Sequence, residues 1–194
     1  PDVSAISDHQ CLSRLMLPNL RKQSRIQSLR ISKIGRFGRQ KTLREFFLSR
    51  NILMIQGSYN IPNLQAFGRS VYTNNAPGGS ARGAGPPQTT FAMESAVDML
   101  AEKVGIDPLE FRRMNSLKPG QSKATGMIVK EWSFAELCEA IKLAYDKAKK
   151  EAEEFNSRGG TIKRGVGVAA HSFGIGAPGD ASKLVRGTDF ESDE

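Results

Sequence analysis

Two stretches of this chain carry apolar residues at helical spacing. Met93, Ala96, Val97, Leu100, Ala101 and Val104 recur at i, i+3 and i+4, which predicts a helix from about Thr89 to Val104 that Gly105 stops. Phe134, Leu137, Cys138, Ile141, Ala144, Tyr145, Ala148, Ala152 and Phe155 form a longer stripe, opposite Glu139, Lys142, Lys147, Lys150, Glu151 and Glu154. Ser133-Phe134-Ala135-Glu136 reads as a capping box opening that longer helix, and Gly159-Gly160 ends it. Between the two, Asp107 can cap a short helix with Pro108 at its first position, where a missing N–H costs nothing. That helix closes near Asn115 to Leu117, before Pro119-Gly120; Gln121 to Lys130 is then a loop with one apolar segment, Met127-Ile128-Val129.

Strands are expected elsewhere. Ile52-Leu53-Met54-Ile55 is a short apolar run ended by Gly57, consistent with a buried strand. Gln65 to Thr73 is a second, with Val71 and Tyr72 supplying β propensity. Lys163 to Phe173 looks like a third, carrying glycines at a crowded position. The expected class is α+β: strands, a glycine-rich loop, two helices, the long helix and a returning strand. Gly174-Ile175-Gly176-Ala177-Pro178-Gly179 matches GxGxxG literally but lacks the following apolar-periodic helix, so it reads as a glycine-rich turn.

The loop from Asn75 to Pro87 carries Gly78, Gly79, Gly83 and Gly85, with Arg82 at its centre and Pro86-Pro87 closing it. A glycine loop feeding a helix N-terminus offers free N–H groups and the positive dipole end to an anion. A plain surface connection is the alternative.

Charge changes this picture at one end. Residues 1–50 hold eight Arg and three Lys against three acids, a surplus of +8, whereas residues 51–194 balance at 17 bases and 17 acids. The basic segment is serine-rich and weakly periodic, broken by Pro18, Gly35 and Gly38. It admits a nucleic-acid-binding arm, a transit peptide that Asp2 and Asp8 argue against, or a segment foreign to the fold. The rest is ordinary for a globular protein of 194 residues, with 39% apolar residues and no apolar run long enough for a membrane span. Cys11 and Cys138 are far apart and signal neither disulfide nor zinc, so a reducing, cytoplasmic setting is expected, with Cys138 an inert core thiol. His9 and His171 are equally isolated, and no local catalytic triad or HExxH arrangement exists.

Several of these residues fall into register with one family. Arg82-Gly83-Ala84-Gly85-Pro86-Pro87-Gln88, then Glu94, Asp98, Leu100-Ala101, Asp107-Pro108, Arg112 and Asn115, resemble the molybdopterin-binding subunit of the xanthine oxidase and aldehyde oxidoreductase family. Tyr59-Asn60-Ile61-Pro62-Asn63, Arg164-Gly165-Val166-Gly167 and Gly174-Ile175-Gly176 resemble it in the same order, so the likeness covers about residues 52–183. It implies a partial molybdopterin-binding domain at 52–183, preceded by a basic, disordered or non-homologous segment at 1–51 and followed by an acidic tail at 184–194.

The resemblance further implies a molybdenum hydroxylase that inserts a water-derived oxygen into a C–H bond of an aldehyde or N-heterocycle. Ser80, Ala81, Arg82, Gly83, Ala84 and Gly85 would lie against the molybdopterin, which occurs in some members as its cytosine dinucleotide, and Gln88 would support them. Members that oxidise purines tend to carry Phe where Ala84 stands, which tilts the expectation towards an aldehyde. Iron–sulfur clusters, and FAD where used, would sit on other domains or subunits. Family members are several times longer, and their general-base glutamate lies in a Gly-Val-Gly-Glu motif that this chain lacks. No residue is therefore assigned as catalytic or as a metal ligand. The chain is expected to be an internal piece of such an enzyme, inactive alone, with residues 1–50 a divergent or out-of-frame segment. The rivals are a basic nucleic-acid-binding protein and a non-catalytic component of a larger assembly.

Overall fold

The helical spacing is realised almost as written. The structure is a computed structural model, and it describes residues 3–5, 13–15, 25–26, 28–37, 51–72, 83 and 85–172. The first periodic stretch is α1 (Pro86–Val104), the Asp107-Pro108 signal opens α2 (Pro108–Met114), and the long stripe is α3 (Phe134–Ser157). α1 starts earlier than its stripe because Pro86 and Pro87, whose φ is already helical, occupy its first two positions. Gly105 stops it in the left-handed conformation at φ 69°.

Four strands form one sheet in the order β1 (Val3–Ala5), β2 (Ser13–Leu15), β3 (Ser28–Phe37) and β4 (Asn63–Tyr72). β1–β2 and β2–β3 are antiparallel, while β3 and β4 pair in parallel from Ser28↔Asn63 to Phe37↔Tyr72. β4 is the expected strand at Gln65 to Thr73. β1, β2 and β3 fall within residues 1–51, the segment expected to be disordered or non-homologous. In β3, Leu29, Ile31 and Phe37 share one parity with Lys33 and Gly35, and Ser28, Arg30, Ser32 and Arg36 share the other with Ile34, a broken alternation. Arginine in a strand reads as a basic arm when charge is counted and as a half-polar strand when period is.

Residues 51–54 are helical, which corrects the strand expected over Ile52–Ile55. A run of four apolar residues cannot separate the two states. Burial does: Asn51 and Ile55 are the buried pair, one helical turn apart, with the residues between them half-buried. Gly57, at φ 61°, ends this turn. Residues 163–172, expected within a strand from Lys163 to Phe173, form no strand among the described residues. They are tied by single side chains instead: Asn156 accepts from the Arg164 amide at 2.9 Å, and Glu94 from the Ala170 amide at 2.9 Å.

The core gathers Ile55, Tyr59 and Ile61 with Met93, Ala96, Val97, Leu100 and Ala101 of α1 and Phe111 of α2. Leu64 and Ala66 of β4 pack against it. Each large aliphatic side chain so buried contributes about 1.5–3 kcal/mol. A smaller cluster joins Leu109 to Cys138 and Tyr145 of α3. Here the expected stripe is only partly used. Cys138, Tyr145 and Ala152 are buried, but Leu137 and Ile141 are 61% and 43% exposed, and Ala144 is exposed beside them. The apolar arc of α3 is wider than the surface this chain offers it. Ser133 stands at the helix start but its side chain makes no capping bond, so the box marks the boundary without its reciprocal hydrogen bonds.

Asp107 does cap. Its Oδ1 accepts from the amides of Leu109 at 2.9 Å and Glu110 at 3.2 Å, and its Oδ2 accepts from Lys149 Nζ at 2.8 Å, joining α2 to α3. Burial alone would push this carboxyl up, but the Lys149 hydrogen bond and the two amides hold it below its ordinary value. A depressed carboxyl gives stability above its unfolded-state value, about 4, and loses it as pH falls through the folded one. Asp107→Asn is therefore expected to lower the melting temperature at pH 7 and to flatten the loss between pH 4 and the acid limit. Thermal melts of both proteins across that range check it.

Candidate functional site

Of the seven expected loop residues, Gly83, Gly85 and Gln88 lie among the described residues; Ser80, Ala81, Arg82 and Ala84 lie outside them. Gly83 sits at φ 105° and Gly85 at φ 103°, a region closed to residues with a Cβ. The space around them is closed as well. A Cβ on Gly83 would stand 2.5 Å from Cγ of Pro87, and one on Gly85 would stand 2.8 Å from Nδ2 of Asn51. The glycines are demanded by the protein's own side chains, pressed against the backbone where the loop enters α1.

Asn51 is buried and fixes this junction from the other side, its Oδ1 accepting from Thr89 Oγ1 at 2.5 Å. Sequence reasoning misses it, because it stands next to an apolar run with no partner in view. Its helical neighbour four residues on, Ile55, is the available signal.

One expectation is overturned at this junction. A helix N-terminus attracts anions through free amides, but the first two positions of α1 are Pro86 and Pro87, which have none. The next two amides, of Gln88 and Thr89, turn back to the Gly85 carbonyl at 3.1 and 3.4 Å. The N-terminus of α1 is thus no anion cradle. What the loop exit presents is the exposed Gln88.

The acidic and basic residues of the motif run build the support for that backbone. Arg112 is fully buried; its Nε donates to Glu94 Oε2 at 2.8 Å and its Nη1 to Asp98 Oδ1 at 2.7 Å. Tyr59 donates its hydroxyl to the other Glu94 oxygen at 2.6 Å. Burial, and then the Glu94 carboxylate, hold that phenol far above its ordinary range, so it stays a donor at every working pH. Glu94 thereby clamps the Tyr59 segment, α1, α2 and the returning Ala170 amide together. Asn115 closes the far end, accepting from the Ile26 amide and donating to the Phe111 carbonyl, each at 2.7 Å. Burial pushes the Cys138 thiol up, leaving it a protonated core group.

Gly83 and Gly85 thus lead into a helix start that a buried ion pair ties to the next helix. The family follows: the chain matches the molybdopterin cofactor-binding domain over residues 8–116 and belongs to that family. The match starts at residue 8 and so takes in most of the basic segment that the motifs left outside. Aldehyde oxidoreductase of Megalodesulfovibrio gigas is 39% identical over 135 residues, which is 69% of this chain and 15% of that protein. The xanthine dehydrogenase/oxidase of Gallus gallus is 31% identical over 161 residues, 79% of this chain and 12% of its own length. In structure, the aldehyde oxidoreductase of Desulfovibrio gigas superposes with a TM-score of 0.65 at 33% identity, covering 68% of this chain and 14% of that one. The chain thus spans about a seventh or less of the length of these relatives. Among the described residues, no helix is long and apolar enough to cross a membrane.

Proposed function

We propose that this domain supplies one wall of a molybdopterin site in an enzyme that hydroxylates aldehydes or N-heterocycles, and that it is inactive alone. Bound there, the cofactor would supply the redox chemistry of molybdenum. Arg82, Gln88 and the backbone from Ser80 to Gly85 would hold the cofactor, and alanine rather than phenylalanine at position 84 favours an aldehyde substrate. The single observation carrying this reading is the rigid loop exit, with Gly83 and Gly85 at positive φ against Pro87 and Asn51, in a chain of this family. A loop that must hold a large cofactor by hydrogen bonds gains from a backbone already ordered. Asn51 and the Glu94–Arg112 pair act as supports and touch no reacting atom.

Partner domains or subunits complete the site, carrying the iron–sulfur clusters, FAD where used, and the general base. The uncovered arc of α3 at Leu137, Ile141 and Ala144, with exposed Met127 and Ile128 nearby in sequence, supports docking against such a partner. A reducing, cytoplasmic setting belongs to the same reading. The test is molybdenum content by mass spectrometry together with dye-coupled aldehyde oxidation. The chain alone is expected to hold well below one molybdenum and to turn nothing over; stoichiometric metal with turnover would overturn the inactivity. Co-production with the remainder of a homologous large subunit should restore loading, and Arg82→Ala should abolish it without lowering the melting temperature. Loading that survives Arg82→Ala would sink the assignment of the loop.

A further inference from the structure

We propose that a cavity on the side of the fold where α2 ends is a binding site for a small oxyanion, inorganic phosphate or a phosphate monoester. The cavity has a volume of about 160 Å³, and Arg25, Lys118, Asn60 and Gln121 are among its lining residues. No lining residue is acidic, and among the described residues neither Arg25 nor Lys118 has an ion-pair partner. The residues from His9 to Arg44 hold ten Arg and Lys and no acid, so Arg25 enters from the middle of the chain's whole charge surplus. That surplus is left unexplained by the cofactor loop.

The hydrogen-bond accounting around the cavity leaves donors over. Gln121 spends its carboxamide oxygen on the Lys118 amide at 2.9 Å, which leaves its NH₂ group. Both ends of the Asn115 side chain are spent, one on the Ile26 amide and one on the Phe111 carbonyl, so the floor is rigid and offers an anion no free oxygen from that residue. The Ser116 hydroxyl donates to the Leu117 carbonyl. α2 ends here, and its dipole opposes an anion. Two of its last carbonyls are nevertheless occupied, that of Phe111 by the Asn115 amide and that of Arg113 by the Ser116 amide, and two full cations outweigh the half-charge of a seven-residue helix. A site with two cations and spare amide donors selects an oxyanion that accepts at several points at once.

Isothermal titration of the full chain with inorganic phosphate at low ionic strength tests this independently of the loop at 80–88. One saturable site is expected, weakened about tenfold or more by Arg25→Ala and by Lys118→Ala, and unchanged by Lys150→Ala on α3. Arg25 and Lys118 are exposed, so unchanged melting temperatures will show that both variants fold. Adenosine monophosphate in place of phosphate identifies the source: equal binding points to a monoester, and exclusion to the free anion. Absence of saturable binding for both probes at millimolar concentration would overturn the proposal, and so would binding that survives both substitutions.

Discussion

Replacing Arg112 by alanine is expected to cost about 3–5 kcal/mol of stability, because it strands a buried carboxylate. Arg112 is fully buried and Glu94 is 6% exposed, so water cannot stand in for the lost guanidinium. Three further ties weaken with it: the bond to Asp98, the bond to the Pro108 carbonyl at 3.1 Å, and the setting of Glu94 towards Tyr59 and Ala170. Removing both charges should hurt less than the sum of the single changes, since Glu94→Ala alone leaves the buried Arg112 with only the half-exposed Asp98 as an ionic partner. Urea denaturation of Arg112→Ala, Glu94→Ala and the double variant, followed by circular dichroism, measures the coupling. A loss below about 1 kcal/mol for Arg112→Ala would show that the clamp is not what joins α1 to α2.

Gly85→Ala is expected to cost about 2–4 kcal/mol from two separable sources. One is backbone: φ 103° with ψ −45° is a conformation that alanine adopts only under strain. The other is crowding, since the added Cβ would stand 2.8–3.0 Å from the carboxamide atoms of Asn51. Asn51→Ala removes those atoms and also the acceptor for Thr89, so it destabilises by itself. In that background Gly85→Ala should lose only the backbone part, about 1–3 kcal/mol. Denaturation midpoints of the four proteins give the coupling directly. Equal costs in both backgrounds would mean that Asn51 yields freely and does not lock the loop.

What is legible in the sequence depends on how many residues carry each signal. α1 and α2 are readable because a six-residue stripe and an Asp-Pro cap each state a helix redundantly. β3 is not, because its alternation is interrupted by Lys33 and Gly35 and lies inside a run whose charge invites another reading. Its partner β4 is 35 positions away in register, and pairing at that range leaves no local trace. The helical turn at 51–54 is too short for any period to show.

The candidate site divides in the same way. Its glycines and its match to a family stand in the residues, and so does the absence of the amides an anion would need, which Pro86-Pro87 removes. The buried role of Glu94 and Arg112, in contrast, is invisible at a spacing of 18 residues until two helices cross. The sequence by itself determined α1, α2 and α3, apart from the first turn of α1, and the family, because these rest on period, punctuation and motif. Only the tertiary structure decided which glycines are crowded, which charges are buried in pairs and which half of the α3 stripe is left uncovered. Those depend on what packs against each residue, and contacts between distant segments are written in no single stretch of chain.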